Sequence, residues 1–441
     1  MQRASRRALA GLVTATLLAT AAPTAVGAAN RDEPTVRLIV SFDPGTSTAV
    51  QDAVADAEGD VVTDLGFIRA KVIEVPARLE RTVRKRLVRR GDVKAVQADL
   101  PVSIAEVDEA PADTTTTSEA PAPTTTAAPT TTLAPTTTIV APTTTTTASP
   151  TTTTTVAPTT TTTEAPVEAS AGYNDPGYRN TNERAPVEAV KLPTAWDVTT
   201  GDPSVVIAVI DSGVTPRAPD LAADRFVPGR NVIRNAATPT ADDHGHGTAV
   251  AAVASAIGNN GTGVAGACWT CKIMPIKVLD SRGSGSTSNV ATGIRWAADH
   301  GADVINLSLS GSESQAMKDA VAYALGRGVH VVAAAGNGGT SSTTKAHPAA
   351  ISGVIAVGGT DAGFSQRASG SNFGNWVKIA APYTNRALDR SGNAVSFSGT
   401  SSATPVVAGT IGLLLAAQGT VAPASVRTLL ASTATKPIAM D

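Results

Sequence analysis

The chain is poor in aromatic residues, 3% of its 441 positions, and in charge, 16%. Both values are low because a long Thr/Pro/Ala tract dilutes the averages, so its segments have to be read separately, and the length allows two or three domains. The formal net charge is only -2 and no Lys/Arg block is sustained, which leaves nucleic acid without an electrostatic footprint to bind. Cysteine is nearly absent. Cys268 and Cys271, in Ala-Cys-Trp-Thr-Cys-Lys, cannot complete a four-ligand zinc site and have no histidine near them in sequence. A redox dithiol would want a helix N-terminus beside it, whereas this segment leads into an apolar strand. In an exported chain the pair is expected as a small structural disulfide that tightens a surface turn.

Export itself is read from the first residues. A basic stretch from Met1 to Arg7 precedes the apolar run Ala8–Ala22 and small residues up to Ala29. That is the pattern of a secretory signal peptide over 1–29. The alternative, an uncleaved anchor, suits it less, because the run is short, rich in Ala and Thr, and followed by Pro23. No other segment is expected to cross a bilayer. The protein is expected outside the cell, secreted or associated with the wall.

Residues 35–105 read as a small βαββαβ unit. Val36, Leu38, Val40 and Phe42 share one face of a first strand; Val50, Val54 and Ala57 have helical spacing. Strands near 61–65 and 68–75, a basic helix with Leu79, Val83 and Leu87, and a strand at 93–98 complete a split-βαβ, ferredoxin-like order. The Arg/Lys excess over 78–90 is a solvated helix face. Residues 110–168 are Thr, Pro and Ala with nothing to build a core, and are expected to form an extended or disordered stalk.

From residue 170 to 441 the composition becomes globular. Apolar strands at 205–210, 273–279, 304–309, 330–335 and 353–357 alternate with helices at 248–257, 287–300 and 315–327. Continuous buried strands between helices mean a doubly wound parallel sheet, an α/β domain. Chemistry in such sheets gathers at the carboxyl ends of the strands.

Three segments carry chemistry-bearing residues. Val206–Val214 is a buried strand that ends in Asp211 and turns at Ser-Gly; no G-x-G-x-x-G follows, which counts against a dinucleotide. Asp242–Val253 is a glycine-rich approach to a helix of small residues, with His246 at its start. Of the five histidines, His244, His300, His330 and His347 have ordinary structural readings. Ser396–Pro405 is a loop that runs into an apolar helix and puts Ser401 at its N-terminus, the favourable end of the dipole for an oxyanion.

Asp211-Ser-Gly, His246-Gly-Thr and Gly399-Thr-Ser-Ser-Ala with Pro405 together resemble the subtilisin-like serine proteases, over about 174–435. The resemblance implies Ser401 as nucleophile, His246 as general base and acid, Asp211 as the carboxylate that fixes the imidazole, and no cofactor for the chemistry. Asn337, in Ala-Ala-Ala-Gly-Asn-Gly, matches the family's side-chain donor to the oxyanion; the related acid peptidases use Asp there. Protein or peptide substrates would lie between Gly283-Ser284-Gly285 and Ser308-Leu309-Ser310. Ala334, Ala335 and Gly336 would wall the primary pocket, and Ala346 would floor it. Structural calcium is implied at Asp220 and Asn260, which also suit ordinary turns. The βαββαβ unit resembles the family's inhibitory prodomain, whose tail, here Asp99–Val107, lies in the substrate cleft until the enzyme removes it. The enzyme is expected to be a monomer. Two departures stand out: Ala249 replaces a common histidine, and the chain ends 40 residues past Ser401, short of a final strand or tail. The competing reading is an inactive fold displayed on a stalk as an adhesion module, although no triad member is lost.

Overall fold

The computed structural model describes residues 33–104, 173–179, 181–236, 240–339 and 345–435. The leader expected at 1–29 and the Thr/Pro tract at 110–168 lie outside the described residues.

The N-terminal unit follows the expected order: β1 (Thr35–Phe42), α1 (Thr48–Asp56), β2 (Asp60–Leu65), β3 (Ala70–Pro76), α2 (Glu80–Val88) and β4 (Val93–Ala98). Its sheet runs β2-β3-β1-β4 and each of its strand pairs is antiparallel. Ser47 starts α1 by accepting a hydrogen bond from the Val50 amide. Leu38, Val40, Phe42, Ile73 and Val75 face α1 and α2 and form one core with Val54, Val83 and Leu87. The opposite face is apolar as well. Ile39, Leu65, Ala70 and Val72 share a second core with residues of the larger domain such as Ile294 and Met317. The strand then continues as β5 (Pro101–Ser103).

The larger domain begins with α3 (Thr181–Ala189) and α4 (Leu192–Trp196), followed by β6 (Val206–Asp211), β7 (Arg230–Asn231) and α5 (His246–Ser255). Next come β8 (Lys272–Lys277), β9 (Ser284–Ser286), α6 (Thr287–Asp299), β10 (Val304–Leu307), β11 (Ser310–Gly311), α7 (Gln315–Gly326) and β12 (His330–Ala334). The described chain closes with β13 (Ile355–Thr360), β14 (Ile379–Pro382), the hairpin β15 (Thr384–Leu388) and β16 (Ala394–Ser398), α8 (Thr400–Gln418) and α9 (Pro423–Thr433). Seven strands form one parallel sheet in the order β14-β13-β12-β10-β6-β8-β7. The doubly wound α/β reading of the sequence is what the chain adopts.

Helix α8 is the central helix. Ile411 is fully buried and Leu413 nearly so, each contributing about 1.5–3 kcal/mol by leaving water. By length and composition α8 is apolar enough to cross a membrane, with mean hydropathy 1.4, which corrects the expectation that only the leader is. Its apolar character serves the core instead, since 78% of that stretch is buried.

Cys268 and Cys271 are bonded, with both side chains fully buried. The expected surface turn is thus corrected to an interior one. Gly412 of α8 packs directly on both sulfurs, and a β-carbon there would come within 2.8 Å of Cys271 Sγ. The Arg225 guanidinium donates to the carbonyl oxygens of Trp269 and Cys271, which supplies the partners that a buried turn needs.

The two units meet along β5 and α6. Pro101–Ser103 is the middle strand of a three-stranded antiparallel sheet, β11-β5-β9. Asp99, whose side chain is wholly buried, accepts from Thr287 Oγ1 (3.0 Å), Ser288 N (2.9 Å) and Ser288 Oγ (2.7 Å), and pairs with Arg37 at 3.1 Å. Helix α6 has no acidic residue of its own in the first turn, so this carboxylate supplies the negative charge its N-terminus favours.

Candidate active site

Asp211 ends β6 at the carboxyl edge of the sheet, and His246 is the first residue of α5. Their side chains meet there. His246 Nδ1 lies 2.8 Å from Asp211 Oδ1 and 3.0 Å from Oδ2, with Asp211 fully buried. This close approach depends on Gly247, because a β-carbon at that position would stand 2.0 Å from the Gly213 carbonyl oxygen. Phe397 packs edge-on against the imidazole, with centroids 5.3 Å apart. The other ring nitrogen, Nε2, is buried and has no hydrogen-bond partner among the described residues.

Ser401 is the second residue of α8, whose cap, Gly399, has φ of 115°, a conformation that favours glycine. Proline at 405 removes the amide that would bond the Ser401 carbonyl in a regular helix. Ser308 Oγ fills that role at 2.9 Å, while Ser401 Oγ donates to the Ser308 carbonyl at 3.0 Å. This reciprocal pair locks the start of α8 onto the segment that follows β10.

Asn337 is oriented from the same helix. Its Oδ1 accepts from both the amide and the hydroxyl of Thr400, each at 2.9 Å. Thr400 Oγ1 in turn accepts from the Gly336 amide at 3.0 Å. Asn372 braces the loop from beneath, donating to Ala335 O at 2.9 Å and accepting from Gly338 N at 2.8 Å. Ala334 and Ala335 are fully buried, and a β-carbon on Gly336 would reach Ala346 Cβ at 3.4 Å, so the expected wall and floor do adjoin.

The expected substrate edges are occupied by the chain itself. Ser284 and Gly285 pair with Ser103 and Val102, and Ser310 pairs with Ser103 from the other side. Gly283 O accepts from Ile104 N at 3.0 Å, while Leu309 is fully buried between Ser308 and Ser310. The pairing on the first edge extends one residue further than expected, to Ser286.

Asp220 and Asn260 come together in a separate cluster. Asp220 accepts from Asn260 Nδ2 (2.9 Å), Thr262 Oγ1 (3.0 Å) and Val264 N (2.8 Å). Asp175 lies close by and accepts from the amides of Asn259 and Asn260; burial first, and then the Asp220 charge, push its carboxyl above the ordinary range. No group of three or more His, Cys, Asp or Glu suited to a metal lies among the described residues.

Sequence reasoning overlooked Asp242. Buried four residues before His246, it accepts from Ser212 Oγ (2.9 Å), His244 N (3.0 Å), Gly245 N (2.7 Å), Thr248 N (2.9 Å) and Thr248 Oγ1 (2.7 Å). It therefore ties the turn after Asp211 to the first turn of α5. The signal was present, an aspartate opening a glycine-rich turn into a helix, but the partner that ties it to the turn after β6, Ser212, is distant in sequence. Burial alone would raise this carboxyl, yet those hydrogen bonds hold it below its usual value. A depressed folded-state value makes its contribution present above the unfolded-state value, near pH 4, and lost as pH falls through the folded one. The Asp242→Asn variant should unfold with about 2–4 kcal/mol less stability at pH 7. It should also show a shallower loss of stability on acidification than the parent, which urea titrations from pH 7 to pH 3 would measure.

A parallel α/β sheet that brings a buried Asp–His pair to its carboxyl edge, with Ser401 at the start of helix α8, fits a serine-type peptidase. Comparison with known proteins agrees. The sequence model described as the Subtilase family matches residues 202–440. Thermitase of Thermoactinomyces vulgaris is 41% identical over 268 residues, 60% of this chain and 91% of that protein. The thermophilic serine proteinase of Bacillus sp. (strain AK1) is 44% identical over 227 residues, 51% of this chain but only 55% of that protein's length. Among solved structures, the fold is similar to a protease from Pseudoalteromonas arctica PAMC 21717, with TM-score 0.53 and 32% identity over 60% of this chain and 93% of that one. The chain belongs to the subtilase family.

Proposed function

We propose that this chain is the precursor of a secreted serine endopeptidase. The observation that carries the reading is the contact of His246 Nδ1 with both oxygens of buried Asp211, which leaves Nε2 as the nitrogen able to take a proton. Ser401 attacks the substrate carbonyl after its hydroxyl turns from Ser308 O to His246 Nε2. Catalytic hydrogen bonds of this kind commonly tighten only when substrate is bound. His246 accepts the serine proton and returns it to the leaving amine, and Asp211 stabilises the imidazolium. Asn337, its oxygen fixed by Thr400, presents its amide nitrogen to the oxyanion together with the favourable end of α8. A fluorophosphonate probe should label the wild-type enzyme at Ser401. Absence of label on folded, prodomain-free protein would end this reading and favour the adhesion module.

Residues 35–105 act as a propeptide that occupies the cleft and is cut by the enzyme itself. Support comes from β5, which fills the space between both substrate edges. The basic, then apolar, first 29 residues support export. No cofactor enters the chemistry. For structural calcium the donor set does not fit: Asp220 already accepts from Asn260 Nδ2, Thr262 Oγ1 and the Val264 amide, and Asn260 Oδ1 accepts from Thr262, so these oxygens close the loop at 258–264 by hydrogen bonds.

The primary pocket should select apolar residues. With Ala346 beside Gly336 it presents a neutral surface, so peptides with Leu, Phe, Met or Ala before the cut should be hydrolysed faster than those with Arg, Lys or Asp. A substrate library scored by kcat/KM tests this, and a tenfold preference for Arg or Lys would refute the assignment of the pocket floor.

A further inference from the structure

Lys277, the last residue of β8, is a buried cation that the reaction itself does not use; it is 5% exposed. An ammonium carries three N–H donors and accepts nothing, so it can leave water only where its donors find partners. Here all three do. Lys277 Nζ donates to the Ser212 carbonyl at 2.6 Å, to the Leu279 carbonyl at 3.0 Å and to Asp243 Oδ1 at 2.6 Å. Those partners lie in three segments of the site: the turn after Asp211, the end of β8 ahead of the edge at 283–285, and the approach to His246.

We propose that Lys277 is a positioning residue for the Asp211–His246 pair, acting through Ser212. This rests on the reading of Asp211, His246 and Ser401 as the triad. Ser212 is fully buried, and its amide donates to Asp211 Oδ1 at 2.7 Å, the same oxygen that lies 2.8 Å from His246 Nδ1. Its hydroxyl donates to Asp242 Oδ1 at 2.9 Å and accepts from the Gly247 amide at 3.0 Å. Its carbonyl is taken by Lys277. With amide, hydroxyl and carbonyl all bonded, Ser212 cannot tilt without breaking a buried hydrogen bond. The adjacent carboxylates of Asp242 and Asp243 thus hold one residue from two sides, the first directly at the hydroxyl, the second through Lys277 at the carbonyl. The backbone of Asp211 is fixed from β8 as well, its carbonyl accepting from Val278 N at 2.8 Å and Leu279 N at 3.2 Å. Because Lys277 also holds Leu279 O, the cation closes a ring of hydrogen bonds around the Asp211 turn.

Methionine at 277 would keep the apolar stem but offer no donor to either carbonyl. The Ser212 peptide could then tilt and carry Asp211 Oδ1 with it, and a displacement on the order of 1 Å costs up to about 100-fold in rate.

The test uses the processed enzyme. Lys277→Met should lower kcat on a small peptide by about 10- to 100-fold with KM unchanged within about twofold, and should shift or broaden the low-field NMR resonance of the proton between His246 Nδ1 and Asp211. Arg225→Met is the control, because Arg225 is another buried cation that donates to carbonyls, those of Trp269, Ser255 and Cys271, but bonds no group of the site. It should lower the melting temperature and leave kcat and that resonance as they were. If Lys277→Met does not fold, Asp243→Ala decides: that carboxylate is 47% exposed, and its loss should lower kcat by about threefold or more and move the same resonance. An unchanged kcat in the deciding variant, a loss that appears only as a raised KM, or an equal loss of kcat in Arg225→Met overturns the inference and leaves the triad standing. A wild-type enzyme that neither takes a fluorophosphonate label nor digests casein overturns the triad reading instead.

Discussion

Replacing Ser401 with alanine should lower kcat on a small peptide substrate by on the order of 10⁶-fold while leaving the melting temperature within a few degrees of the parent. The loss is large because nucleophile and base act as one unit: without the hydroxyl, His246 has no proton to take. For the same reason, His246→Ala should cost nearly as much alone, and the double variant little more than either single one. Stability should barely change, since the Ser401 hydroxyl makes one hydrogen bond, to Ser308 O, while the Ser401 carbonyl keeps its partner, Ser308 Oγ. The check is steady-state kinetics on all three variants, prepared with the propeptide supplied separately. Multiplicative losses in the double variant would contradict a coupled pair.

Asp211→Asn should cost on the order of 10⁴-fold in kcat and little in KM. Asparagine keeps the shape, but its amide can offer an N–H to His246 Nδ1. That interaction favours the tautomer with its proton on Nε2, the nitrogen needed as base. Asp211 also takes its place in the turn through the Ser212 amide, which donates to Oδ1 at 2.7 Å. An asparagine oxygen can keep that bond, so the fold should survive and the loss should be chemical. A variant that lost activity only through a raised KM would show that Asp211 shapes substrate binding instead of the imidazole.

The order of elements and the placement of Asp211, His246 and Ser401 at the ends of a strand and the starts of two helices were legible because each depends on local pattern. Strand β6 is a continuous apolar run; α5 begins at a glycine turn; α8 begins at Gly399. What stayed hidden depends on contacts between distant segments. Val36, Leu38, Val40 and Phe42 marked one buried face of β1, yet Ile39 is equally buried on the other because the larger domain covers it. Period-two reasoning assigns such a residue to solvent. Asp242 was hidden in the same way, since Ser212 comes beside it only after the sheet has formed. The cysteine pair was identified as bonded, but its burial depends on α8, which follows it by more than a hundred residues. The oxyanion donor, by contrast, was found through family likeness; nothing in the residue pattern around Asn337 discloses that Thr400 orients its amide.

Asp99 is borrowed by helix α6, and a borrowed cap can be withdrawn. While β5 is in place, the first-turn amide of Ser288 has a buried carboxylate as its partner. Were residues 35–105 to leave, as the propeptide reading proposes, that amide would retain only water, and α6 would start with the Ser286 hydroxyl, which accepts from the Asn289 amide at a long 3.3 Å. The helix should then fray over its first turn, directly beside Ser284 and Gly285, the edge along which substrates pair. Amide hydrogen exchange at Thr287 and Ser288 should accordingly be at least tenfold faster in the processed enzyme than in the Ser401→Ala precursor, whereas exchange in the middle of α6 should match. Release of the inhibitor would thereby loosen one rim of the cleft as it empties it, so that an enzyme tightly ordered during its own maturation meets later substrates with a more adaptable edge.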